Sequence, residues 1–166
     1  MSRRGGGETI DFESLYRSSR DDVYAYVAGL VRDRGAAEEV TAAAFERAFR
    51  RRSSFRADRG NARAWLFGIA RNAAYDELRR RARTQPVAEP EDPGPPAGDP
   101  TAEAAVRRAA LAVGLGELSA EQRELIGLKF EAGLANAEIG TVLGISESNV
   151  GTRLSRAVAK LRETMR

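Results

Sequence analysis

Hydrophobic positions recur every three to four residues through most of this chain and stop doing so in one segment. From Ala36 to Arg52, the positions Val40, Ala44, Phe45, Ala48 and Phe49 are interleaved with Glu39, Glu46, Arg47 and Arg50. That spacing predicts a helix with one apolar face. Between Trp65 and Arg83 a second stripe is made by Trp65, Leu66, Ile69, Ala70 and Ala73, after which the sequence turns Arg-rich. The C-terminal part predicts helices over about 102–116 and 120–131, and a closely spaced pair between about 136 and 164. Alternating strand patterns and Asn-Gly or Asp-Gly hairpin signals are absent.

The periodicity fails at QPVAEPEDPGPPAGDP, where all six prolines fall between Pro86 and Pro100. No helix or central strand runs through that density of Pro and Gly. With Glu89, Glu91, Asp92 and Asp99 present and Val87 the one large apolar residue, the segment reads as a solvated tether. The expected fold class is therefore all-α: two small helical domains joined by a Pro-rich flexible linker, the C-terminal one a helix-turn-helix. Residues 1–9 form a polar, Gly-rich tail, 10–85 the first domain, 86–100 the linker and 101–166 the second domain. Each half is small enough to have a marginal core alone, so docking onto a partner is a reasonable expectation.

Composition narrows the chemistry more than it names it. The chain of 166 residues has 27 Lys+Arg against 24 Asp+Glu, a net charge of only +3, so the location of charge matters more than its sum. It contains neither Cys nor His. Disulfides, thiolate or imidazole metal sites, thiol redox sensing and imidazole acid/base catalysis are thereby excluded. The adjacent carboxylates Glu38-Glu39 and Asp76-Glu77 do not face each other on a helix and read as solvated or Arg-paired groups. No catalytic residues, cofactors or metal are expected, and the chain is not expected to be an enzyme. Met1 to Gly7 lacks the apolar core of a signal peptide, and a cytoplasmic protein is expected.

The most informative string is NAEIGTVLGISESNVGTRLSRAVAKL, Asn136 to Leu161. Ile139, Val142 and Leu143 give a short helix one apolar face, and Gly140 lets a second helix approach. Gly144 sits where the first helix must stop in a left-handed conformation, Ile145 follows as a buried plug, and Ser146 can cap the second helix. Val150, Leu154, Ala157, Val158 and Leu161 continue the inward face. The outward face carries Ser148, Asn149, Thr152, Arg153 and Arg156, with Lys160 and Arg162 beyond. Short polar residues there reach base edges, and arginines take guanine bidentately or hold phosphate. This is the pattern of a helix-turn-helix that places its second helix in a major groove. A generic helical hairpin with solvated charges is the plainer alternative.

In the N-terminal half, AWLFGIARNAAYDELRRRAR places Arg71, Asn72, Arg79, Arg80, Arg81 and Arg83 on or after an amphipathic helix, with Trp65 and Tyr75 as aromatic neighbours. A basic helix end suits a phosphate backbone with single-strand stacking nearby. Arginines at a helix C-terminus also complement its dipole and need no ligand. Trp65 fits a core position as well as base stacking. The preceding RRRSSFRADRGNA is either a nucleic-acid loop or an ordinary connection.

With those strings in place, the chain resembles the bacterial sigma factors of the sigma-70 family, in particular the small extracytoplasmic-function (ECF) group. AEEV…FERAF followed by AWLFGIARNAAYDELRRR resembles their second conserved region, and Leu118 to Arg162 resembles their fourth. The resemblance implies that Glu39, Val40, Phe45, Glu46, Arg47 and Phe49 dock on core RNA polymerase. It implies that Phe55, Arg71, Asn72, Arg79, Arg80, Arg81 and Arg83 recognise and help open the minus-ten element of promoter DNA. Ser148, Asn149, Thr152, Arg153 and Arg156 would read the minus-thirty-five element, and an anti-sigma factor would mask the free protein. Two positions depart from the family pattern: Ala42-Ala43, where Gln and an acidic residue are common, and Gly151, where Lys is common. Two other readings remain at this stage. One is a polymerase-independent helix-turn-helix regulator with an N-terminal dimerisation or receiver module; the other is a sigma-like adaptor that binds protein.

Overall fold

The computed structural model describes residues 10–84 and 101–166, and among these every regular element is helical. The tail and linker expectations fall on residues 1–9 and 86–100, which lie outside the described residues.

Helix α1 (Phe12–Val31) opens at Asp11, whose carboxylate accepts the Ser14 N–H at 3.2 Å. It closes at Arg32, a non-glycine residue at φ 52° that returns its N–H to the Ala28 carbonyl. Helix α2 (Arg34–Arg50) starts one residue later on a second aspartate cap, Asp33, which accepts the Ala36 N–H at 2.8 Å. Two short 3-10 turns, Arg52–Ser54 and Ala57–Arg59, lead into α3 (Ala62–Thr84), whose first free amides are met by the Asn61 carboxamide oxygen bonding the Ala64 N–H at 2.8 Å. The three helices form a bundle. Val23, Val27, Val31, Val40, Leu66, Phe67 and Ile69 supply its apolar bulk. Ala37, Ala44, Ala48, Ala70 and Ala74 are fully covered, which lets the helices approach closely. Phe12, Tyr16 and Phe45 close one end with edge-to-face ring contacts, the tightest being Tyr16–Phe45 at 4.9 Å between centroids.

The sequence pattern did not single out α1. Its inward positions include Ser19, and the turn around it carries Arg20, Asp21 and Asp22, so its stripe is interrupted where a periodicity count weighs most.

In the C-terminal half, α4 (Ala102–Gly116) meets the rest at its last turn, where Gly114 packs on Leu161 of the final helix. Its outer residues Val106, Leu111 and Val113 are exposed. Helix α5 (Ala120–Ile126) begins with a capping box in which Ser119 and Gln122 exchange side-chain and backbone hydrogen bonds. It widens into a π-helical turn, Gly127–Glu131, where the Ala132 N–H reaches back to the Gly127 carbonyl. Helices α6 (Asn136–Leu143) and α7 (Glu147–Thr164) complete the chain.

The two halves do not sit apart. Helix α5 and the π turn lie against α1, α6 lies against α3, and one apolar cluster runs from the bundle through Leu125, Leu128, Ala132, Leu134 and Ile139 to Val150 and Leu154. The surface that each small half cannot bury within itself is covered by the other.

The glycines of the helix-turn-helix separate a packing constraint from open space. A Cβ on Gly140 would lie 2.6 Å from the Ile145 backbone carbonyl oxygen, because the turn folds directly over it. Gly151 lies in the interior of α7, and the nearest atom to a Cβ there is the Asn136 carboxamide nitrogen at 3.8 Å. Gly140→Ala should lower the unfolding free energy by about 1–3 kcal/mol through overpacking against backbone. Gly151→Ala should raise it by about 1 kcal/mol through helix propensity. Urea unfolding followed by circular dichroism reads both, and opposite signs are the expected result.

Candidate nucleic-acid interfaces

The recognition helix takes the form its sequence suggests. Gly144 ends α6 in the left-handed region at φ 72°, and the Gly144 N–H bonds the Gly140 carbonyl at 2.8 Å. Ile145 is only half-buried, so it closes the edge of the turn and is not the buried plug expected. Ser146 caps α7, its hydroxyl accepting the Asn149 N–H at 3.1 Å. Val150, Leu154 and Ala157 are buried, and this fixes the rotation of α7. Ser148, Thr152, Arg153 and Arg156 are left exposed, with Asn149 half-buried beside them. The Arg153 Nε donates to the Asn149 carboxamide oxygen at 3.0 Å, so the two longest polar groups of the first turns are held together. From Ser146 onward Arg153, Arg156, Lys160, Arg162 and Arg166 face only Glu147 and Glu163, a balance that favours a polyanion.

The Arg-rich end of α3 is less positive than it reads. Arg79 bonds Asp76, Arg80 holds both Glu77 carboxylate oxygens at 2.9 and 2.7 Å, and Arg81 is shared between Glu77 at 3.1 Å and Asp33 at 3.4 Å. Arg47 of α2 also approaches Asp76 at 3.7 Å. The Arg80 hydrogen bonds hold the Glu77 carboxyl below its usual range, and Glu77 in turn raises the Arg80 guanidinium. The Asp76-Glu77 pair is thus a set of arginine partners. Arg83 and Asn72 are exposed.

Arg71, placed by sequence among the DNA contacts, is instead engaged by the other half of the chain. Its Nε donates to Glu124 Oε1 at 2.7 Å. The Tyr26 hydroxyl donates to the same oxygen at 2.7 Å and the Tyr75 hydroxyl to Oε2 at 2.9 Å. The Arg71 guanidinium lies 4.6 Å from the Tyr75 ring centre. Burial, reinforced by the Glu124 charge, pushes both phenols above their ordinary range, so they stay protonated and donate. Arg63 makes a second bridge: it donates to the Ala132 carbonyl at 2.8 and 2.5 Å, to Ser19 Oγ at 3.0 Å and to Asp22 at 2.6 Å. Asn61 makes a third, donating its amide to Glu138. Sequence reasoning missed Tyr26, Asn61, Arg63, Glu124 and Glu138. The available signal was Glu124 itself, a carboxylate beside Leu125 on the inward side of a short helix.

In the connection before α3, Phe55 stacks edge-to-face on Trp65 at 5.6 Å, both half-buried. A cleft lined by Ser14, Ser18, Phe55, Gly60 and Asn61 opens beside them. On α2, Phe49 is exposed with the Arg52 guanidinium 3.9 Å over its ring, while Glu39 and Glu46 are exposed and Arg47 half-buried. Val40 and Phe45, expected on the polymerase-docking face, are core residues: they lie on the side of α2 that packs on α1 and α3 and are not available to a partner.

Asp33 both caps α2 and meets Arg81. The Ala36 N–H hydrogen bond, helped by the Arg81 charge, holds its carboxyl below the ordinary value of 3.8. Its contribution to stability is therefore complete above that value and is lost as pH falls toward the depressed one. Asp33→Asn keeps a capping oxygen and removes the charge. It should flatten the fall in stability below about pH 4 while leaving neutral-pH helicity unchanged, as read by acid titration of circular dichroism.

Comparison with known proteins agrees with this arrangement. Residues 15–84 match sigma-70 region 2 and residues 108–161 match sigma-70 region 4. The chain is 33% identical over 167 residues to the ECF RNA polymerase sigma factor SigL of Mycobacterium tuberculosis, covering 99% of this chain and 94% of that protein. In structure it resembles the sigma factor RpoE of Bartonella quintana, solved in complex with the anti-sigma factor NepR, with a TM-score of 0.76 and 26% identity over 93% of this chain and 96% of that one. It also resembles CnrH, solved with the cytosolic domain of CnrY, with a TM-score of 0.66 and 26% identity over 92% of this chain and 85% of that one. The paired regions, the near full-length match and the shared two-part helical fold establish that this chain belongs to the extracytoplasmic-function group of sigma-70 RNA polymerase sigma factors.

Proposed function

We propose that the chain, as a sigma factor directing RNA polymerase to promoters, divides its contacts among three surfaces. Core polymerase meets the exposed edge of α2 through Glu39, Glu46, Arg47 and Phe49. The connection and α3 take the minus-ten element, with Phe55 and the adjoining cleft receiving an unstacked base and Arg71, Asn72, Arg79, Arg80, Arg81 and Arg83 meeting the backbone. Helix α7 enters the major groove at the minus-thirty-five element, where Ser148, Asn149, Thr152 and Arg153 read bases and Arg156 holds phosphate. Polymerase performs the chemistry and this chain performs none. A protein of the anti-sigma class is a further partner, by analogy with the relative solved with NepR.

The observation that carries this reading is the exposed polar stripe of α7, set by the burial of Val150, Leu154 and Ala157 directly behind it. The logic is avidity: two modest DNA contacts gain little separately and much when polymerase fixes their separation. Transcription in vitro with core polymerase over a pool of random promoters tests the function, and a shared motif in the selected templates is the expected result. Arg153→Ala should weaken a selected promoter by about 1–3 kcal/mol while changing binding to unrelated duplex DNA much less. Equal loss on both in an equilibrium binding assay would assign Arg153 to backbone contact alone.

A further inference from the structure

We propose that the C-terminal half acts as an intramolecular competitor for single-stranded DNA, closing over α3 through Glu124 and Glu138. This inference rests on the reading of α3 and its preceding connection as the minus-ten surface. Three donors on that surface are occupied at once: Asn61 by Glu138, Arg63 by the Ala132 carbonyl, and Arg71 by Glu124. All three occupants accept hydrogen bonds and donate none, and two are carboxylates. They present to α3 the chemistry that phosphate and base oxygens of a DNA strand would present. Tyr75, the aromatic group beside Arg71, is held by the same carboxylate. The recognition face of α7 is exposed in the same closed form. Closure therefore masks the minus-ten half and leaves the minus-thirty-five half free.

The contact is built to be reversible. Glu124 is only 5% exposed, and a carboxylate so placed is tolerated because Tyr26, Tyr75 and Arg71 all donate to it. Removing one donor leaves an under-satisfied buried charge, whereas opening the halves returns it to water. A DNA strand that binds only the open form has its affinity reduced by the open fraction, so a modest loss of closure reads directly as a gain in binding.

Tyr26 provides a test that changes no charge, because its side chain is buried under α1 and away from the proposed DNA face. The full-length protein, free of native cysteines, takes dye-bearing cysteines at the exposed positions Ala43 and Ala159 for energy transfer. Tyr26→Phe should lower transfer efficiency and raise affinity for a random single-stranded DNA pool about tenfold, with duplex binding through α7 nearly unchanged. Glu124→Gln should do the same if Tyr26→Phe proves poorly folded, with the exposed Glu103→Gln as its charge-matched control. Separation of the halves without a gain in single-strand affinity overturns the masking, and so does a gain without separation. No change in either overturns the latch. Promoter-directed transcription by the wild-type chain is scored in parallel, so loss of that activity, and not of the DNA-binding difference, marks failure of the functional reading.

Discussion

A single buried carboxylate organises this molecule. Glu124 comes from a seven-residue helix of the C-terminal half, and the three donors that make its burial tolerable all come from α1 and α3 of the N-terminal half. Neither half can satisfy it alone. Around it lies an apolar seam of Leu125, Leu128, Ala132 and Leu134, which supplies non-directional attraction without specifying how the halves align. The directional bonds to Glu124, with those to Ala132 and Glu138, choose one alignment from the many that a greasy seam permits.

Fold class and much of the element order were legible because α2, α3 and the α6–α7 pair each carry an uninterrupted apolar stripe with recognisable ends. Ser146 as a cap and Gly144 as a left-handed stop needed only local physics, and both stand where local physics puts them. Legibility ended where distance along the chain became large. Tyr26 and Glu124 are 98 positions apart, and no spacing rule relates them. The same limit explains Val40 and Phe45. They share an apolar stripe with Phe49, and only the packing of α1 and α3 decides that the first two are covered and the last is not.

Charge also behaves differently in three dimensions than along the string. A run such as DELRRR invites the conclusion of a strongly cationic surface, yet Asp76 and Glu77 lie one helical turn before the arginines they neutralise, and Asp33 arrives from α2 to meet another. Helix α7 has fewer cations but fewer acidic neighbours as well. These acid–arginine pairs also fix the arginine rotamers before any ligand arrives, so polyanion binding at α3 is an exchange of partners and not the capture of a bare charge.

The wide turn at Gly127–Glu131 carries a consequence for how the chain tolerates change in length. A π turn holds one residue more than an α turn, and each residue of an α-helix accounts for about 100° of rotation. Deleting a single residue there would restore ordinary helical winding and swing everything downstream, α6 and α7 included, by about a quarter of a circle. The compass bearing of the groove-reading face is thus stored in a length of chain that touches no base, and an insertion or deletion in that stretch can reorient promoter reading while leaving every recognition residue in place.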